Sequence, residues 1–227
     1  MPQITPMFAV PFVFADHPDP GPLNAALKAL FLAREAEGAR HANPAPLVTR
    51  NDALWESRFD LFDWPDPPVQ ALRDWCWRQL YGAVGELNAY DVETLKRMDV
   101  ANECWFHITR RGGYFSMHNH AMASWSGVYC VDPGEDDNTV KGSGELTFMH
   151  PNATATMFID RAISNFRAPY SYGPRAFRLS PGQLVLFPSW LLHEVKPFIG
   201  SGTRITVAFN CWFRMRDAHL SPVAPGG

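Results

Sequence analysis

No stretch of the 227-residue chain approaches the ~18 consecutive apolar residues of a membrane-spanning helix, so the sequence offers no helical anchor. Charge of one sign is lacking too: 20 Lys and Arg stand against 23 Asp and Glu, and the formal net charge is -3. Neither sign gathers into a stripe, which excludes the electrostatic footprint of a nucleic-acid or anionic-membrane binder. Cysteine is scarce. Cys76, Cys104, Cys130 and Cys211 lie far apart in apolar surroundings without Cys-x-x-Cys spacing. That pattern excludes a disulfide frame or a cysteine zinc site and reads as buried thiols in a reducing compartment. Met1 to Pro6 contains no basic stretch leading into an apolar one, so the expected location is cytoplasmic. No internal repeat is visible.

Apolar residues (46%) and charged residues (19%) are in ordinary globular proportion, while 20 prolines and 16 glycines imply many turns and favour β structure. The length suits one sizeable core. We expect a single domain over 1–227: helical and loop support over 1–97, a jelly-roll core over 98–214 and a flexible tail over 215–227. Met7 to Phe14 reads as an edge strand, because Pro11 would remove a ladder donor from a central one. From Pro22, the spacing of Leu23, Leu27, Leu30 and Phe31 predicts a helix that Gly38 ends. Residues 39–65 read as an ordered loop without catalytic signal. Asp66, Pro67 and Pro68 then start a second helix carrying Val69, Leu72, Cys76, Leu80, Val84 and Leu87 on one face.

From Asp99 the period changes to two. Arg110 to Gly113 reads as a hairpin-like turn, and residues 150–175 as a long loop over the mouth of the sheet. Roughly eight short strands after two helices imply a mainly β protein: an antiparallel double-stranded β-helix, a cupin-like jelly roll buttressed by N-terminal helices.

Two histidines at i and i+2 on an extended backbone, His118 and His120, project to one side of a sheet. Such a pair alone often sits solvated on a half-exposed strand. His193, far downstream, adds a third imidazole, and three neutral imidazoles at about 2 Å can hold one face of a metal whose other positions stay open. An open site is catalytic in form. Arg204 and Thr206 share one face of the last long strand and together suit a carboxylate; the bland alternative for Arg204 is a buried ion pair. His107 reads as a strand histidine near the site, and His17, His41, His150 and His219 as solvated. Asp132 to Asp137 reads as a hairpin tip, since the ligand alternation of a calcium loop is missing.

Five segments occur in a telling order: His118 to His120, Ser126 to Val131, Gly144 to Phe148, Leu186 to His193 and Arg204 to Asn210. Over about residues 98–214 this series resembles a bacterial and phage family of iron(II)/2-oxoglutarate-dependent oxygenases. The resemblance implies a double-stranded β-helix, Fe(II) as cofactor and 2-oxoglutarate as co-substrate. It also implies that Arg204 and Thr206 hold the far carboxylate of the keto acid. The chain departs from the broader superfamily at His120, where a carboxylate is usual. It therefore implies either a three-histidine site of His118, His120 and His193 or a carboxylate from elsewhere, such as Glu145. Glu194, the strand neighbour of His193, points to the opposite face.

Tyr129 is either a phenol donor to the co-substrate or a core tyrosine with a satisfied hydroxyl. The expected function is hydroxylation of a small-molecule or peptide substrate with dioxygen, with loops 43–65, 132–144 and 150–175 forming the pocket walls. Two other readings stay open: a cupin-like three-histidine metalloenzyme that uses no 2-oxoglutarate, and a non-catalytic metal-binding jelly roll. Exposed edge strands and the aromatic content would suit a homodimer.

Overall fold

Two proline-led helices support the β structure in the computed structural model, which describes residues 3–120, 122–135, 140–152 and 157–216. Helix α1 (Pro20–Ala36) and helix α2 (Pro67–Asn88) both carry Pro at their first positions, where a missing N–H costs no helical hydrogen bond. Gly38, at φ +68°, follows the end of α1 as its sequence position suggests. Asp66 occupies the N-cap position of α2, but its side chain makes no capping bond; it lies 3.6 Å from Arg34 instead. A short helix α3 (Val92–Lys96) leads into the strand that starts at Met98. No helix among the described residues is long and apolar enough to cross a membrane.

The described residues contain ten strands, in chain order β1 (Val13–Asp16), β2 (Leu54–Glu56), β3 (Met98–Thr109), β4 (Phe115–His118), β5 (Trp125–Asp132), β6 (Leu146–Phe148), β7 (Arg175–Phe177), β8 (Gln183–Pro188), β9 (His193–Val195) and β10 (Arg204–Met215). They form a six-stranded sheet, β1-β8-β5-β10-β3-β2, and a four-stranded sheet, β4-β9-β6-β7, in which every pairing is antiparallel. This is the expected double-stranded β-helix with helical buttress.

The period-two pattern sorts the large sheet into two chemistries. Cys104, Phe106, Ile108, Tyr129, Val131, Leu184, Leu186, Ile205, Val207 and Phe209 pack with α1 and α2 in the larger core. Phe31 of α1 stacks on Phe106 with centroids 4.0 Å apart. Their alternates face the four-stranded sheet: Cys130, Val185 and Phe187 join Leu146 and Phe148 in a second core. Trp105, His107, Arg204, Thr206 and Asn210 line a cavity beside it.

Two departures from the sequence reading concern connections. Arg110 to Gly113 is no hairpin turn, because β3 belongs to the six-stranded sheet and β4 to the four-stranded one; the chain crosses between layers there. The segment 39–65 is not wholly loop, since β2 pairs with β3 at the sheet edge. Three residues are too few to show alternation. The expected tail and the acidic tip at Asp136 and Asp137 lie at residues outside those described, apart from 215 and 216.

Candidate metal centre and co-substrate site

Ladder register brings the first two imidazoles together. His118 on β4 is the direct antiparallel partner of His193 on β9, and their rings lie 4.3 Å apart. A register shift between Phe115 and His118 adds one residue to β4 there, a bulge that re-aims the strand end. His120 lies just past β4, held by its backbone N–H donating to Ser189 O at 2.9 Å. Its ring sits 4.8 Å from that of His118 and 5.2 Å from that of His193. One potential ligand atom from each of the three lies within 4.8 Å of the others, and no carboxylate or thiol joins this group among the described residues.

Both cross-strand histidines have a fixed tautomer. Nδ1 of His118 lies 2.7 Å from Ser116 O, and Nδ1 of His193 lies 2.8 Å from Leu191 O. A carbonyl only accepts, so each Nδ1 carries the hydrogen and each Nε2 keeps its lone pair. Burial disfavours the charged rings: it lowers the pKa of His118 and, with the charge of His118 adding to it, lowers those of His120 and His193 to about 3. The rings are therefore neutral near pH 7, the form that binds metal.

Arg204 and Thr206 line the same cavity as the three histidines. Arg204 is buried, and no described residue gives it a hydrogen bond or carboxylate partner; burial, opposed by Cys130 and aided by the like charge of Arg178, lowers its pKa. A guanidinium buried without an anion is costly, so the arrangement suits an anionic ligand. Gly144 passes directly over it at φ +63°, where a Cβ would stand 3.2 Å from Arg204 Cδ. The alternative of a structural ion pair finds no partner among the described residues.

Tyr129 does not face this cavity. It is fully buried on the helix side of β5, where its hydroxyl donates to Asn24 Oδ1 at 2.7 Å and its ring packs edge-on against Trp75. Of the two readings open for Tyr129, the structure gives the core tyrosine with a satisfied hydroxyl and not a phenol donor in the cavity. Glu145 is likewise outside the imidazole group, 3.5 Å from Lys196 Nζ.

A polar pair escaped the sequence reading. Glu56, buried on β2, is the register partner of His107, and its Oε2 lies 2.9 Å from His107 Nε2. Burial raises the Glu56 pKa, but the hydrogen bond from His107, with Asn43 and Arg50, outweighs it and holds the carboxyl below its ordinary value. His107 Nε2 also lies 3.1 Å from Trp105 Nε1. One nitrogen cannot accept from Trp105 while donating to Glu56. The shorter contact to an ionised carboxylate prevails, so Nε2–H donates to Glu56. Only the register of an edge strand unseen in the sequence joins position 56 to 107.

A wider groove of about 1110 Å³ opens nearby. Phe12, Phe148, Tyr170, Tyr172 and Trp190 are among its lining residues. Of the expected wall loops, 150–175 contributes to it.

Residues 103–210 match a family profile described as "Putative 2OG-Fe(II) oxygenase". Over that segment the chain is similar to the 2OG-Fe(II) oxygenase family. No curated protein sequence matches the chain. Among solved structures, a prolyl-4-hydroxylase from Pseudomonas putida aligns with TM-score 0.58 at 22% identity, over 91% of this chain and 94% of that one. HygX from Streptomyces hygroscopicus, with nickel, 2-oxoglutarate and hygromycin B bound, aligns with TM-score 0.55 at 12% identity over 89% and 82%. A Trichoplax adhaerens prolyl hydroxylase, in complex with a hypoxia inducible factor peptide fragment, aligns with TM-score 0.53 at 13% identity over 88% and 83%. At these identities the chain shares their fold.

Proposed function

We propose that this chain hydroxylates an organic substrate at a metal held by His118, His120 and His193, with Arg204 and Thr206 holding the distal carboxylate of 2-oxoglutarate. The observation that carries the reading is the convergence of three neutral imidazoles beside a buried guanidinium that has no anionic partner among the described residues. The donor set fits: imidazole nitrogens suit divalent first-row metals, and two of the three rings are already oriented by carbonyls behind them. When bound, iron(II) supplies activation of dioxygen, coupled to oxidation of the keto acid to succinate and carbon dioxide, with one oxygen atom going to a substrate C–H bond. The chain's own residues bind and orient: Arg204 with a two-pronged fork, Thr206 with one hydroxyl donor.

The aromatic groove suits a substrate with apolar faces, a small molecule or a peptide segment. Four buried free thiols are in keeping with a reducing cytoplasm. Mixing Fe(II)-loaded protein with 2-oxoglutarate without oxygen is expected to give a visible charge-transfer band, and admitting oxygen to give succinate. Absence of both overturns the proposal. The missing carboxylate ligand favours one competing reading, a three-histidine metalloenzyme that ignores 2-oxoglutarate; a metal-loaded protein that gives no band but oxidises another small molecule would establish it.

A further inference from the structure

The metal-binding group contains no anion, yet a buried carboxylate stands one side chain behind it. Glu56 is 3% exposed, tied through Oε1 to Asn43 Nδ2 at 2.6 Å and through Oε2 to His107 at 2.9 Å. Arg50, the nearest cation, is 3.9 Å from Oε1, on the oxygen turned away from His107. His107 is itself a wall of the cavity that holds the three histidines and Arg204. Its ring lies 5.0 Å from that of Phe115, which lies 4.9 Å from His118. Trp105, beside it, meets His120 at 5.9 Å.

With Nε2–H committed to Glu56, Nδ1 of His107 keeps a lone pair, and no described residue donates to it. An imidazole hydrogen-bonded to a carboxylate on one side is a stronger acceptor on the other. Two positive charges from a metal and one from Arg204 meet two negative charges from a keto diacid, and Glu56, shared with Arg50 at 3.9 Å, adds a further negative charge behind the site.

We propose that Glu56 and His107 form a positioning pair for the metal centre: Glu56 is its buried counter-charge, and His107 Nδ1 accepts a hydrogen bond from water bound to the metal. The pair does not ligate the metal. This rests on the three-histidine reading above, and the test separates the two.

Cobalt(II), titrated into metal-free protein without any keto acid, reports through its visible spectrum and its affinity. Wild type is expected to bind and His193→Ala not to. Glu56→Gln and His107→Phe are expected to weaken binding by about 10- to 100-fold, while Glu56→Asp, which keeps the charge, stays within about threefold of wild type. The cobalt spectrum of Glu56→Gln should also shift, because its bound water has lost an oriented acceptor. Far-UV circular dichroism and melting of the metal-free forms check folding. Should Glu56→Gln not fold, His107→Phe against Glu56→Asp carries the same comparison. Wild-type affinity and spectrum in Glu56→Gln, or equal losses in Glu56→Gln and Glu56→Asp, overturn the pairing and leave the metal site standing. No cobalt uptake by wild type overturns both.

Discussion

An imidazole at position 120 in place of a carboxylate changes what each neighbouring side chain must do. On the proposed three-histidine reading, anion binding at the open positions matters more, and Arg204 would anchor that anion. Replacing Arg204 by Ala removes charge-assisted hydrogen bonds of about 1.5–3 kcal/mol, so 2-oxoglutarate affinity should fall by about 10- to 100-fold. Lys at this position should recover only part of it, because an ammonium cannot form the fork. Keto-acid titration of the anaerobic, metal-loaded variants measures both. The thiols make the opposite case, of residues built to be inert. Burial pushes Cys130 up to about 11 and Cys211 up to about 12, and raises Cys76 and Cys104 as well. Iodoacetamide at pH 8 should leave all four unlabelled in the native protein and label them in urea. His118, His193, Arg204 and Thr206 were legible in the sequence because spacing along strands shows which residues share a face. Glu56 was not, because its importance arises from register with a residue 51 positions away.

At the scale of elements, strand phase was easier to read than the face each phase occupies. Along β5 and β10 the alternation is plain in the sequence, but both faces of β5 are buried, one under helices and one against the second sheet. Hydrophobicity therefore could not say which face held Tyr129. The connections were hidden for a related reason: a turn after β3 looks alike whether the next strand pairs with it or crosses to the other layer. Glycines test the packing directly. A Cβ on Gly127 would stand 2.2 Å from Phe209 Cζ on the adjacent β10. Gly127→Ala should cost about 1–3 kcal/mol by overpacking. Gly82, inside α2, meets nothing within 4 Å, and Gly82→Ala should stabilise by about 0.5–1 kcal/mol through helix propensity alone. Opposite shifts in the urea midpoint of these two variants check the assignment of crowded sheet and open helix surface.

For the whole molecule, Glu56 ties the cavity to acid stability. Burial alone would raise its pKa, but the hydrogen bond from His107, with Asn43 and Arg50, brings the folded value below the ordinary 4.5. The folded state thus binds the proton less readily than the unfolded chain. The stabilisation is fully present above pH 4.5, is lost as pH falls through the lower folded value, and is absent once both states are protonated. Glu56→Gln has no carboxyl to titrate, so its urea midpoint should fall less steeply than that of wild type as pH drops below 4.5. Parallel acid limbs would mean that Glu56 is as readily protonated in the fold as out of it. The edge strand β2 would then carry a carboxylate too weakly held to serve either the fold or the metal centre behind which it lies.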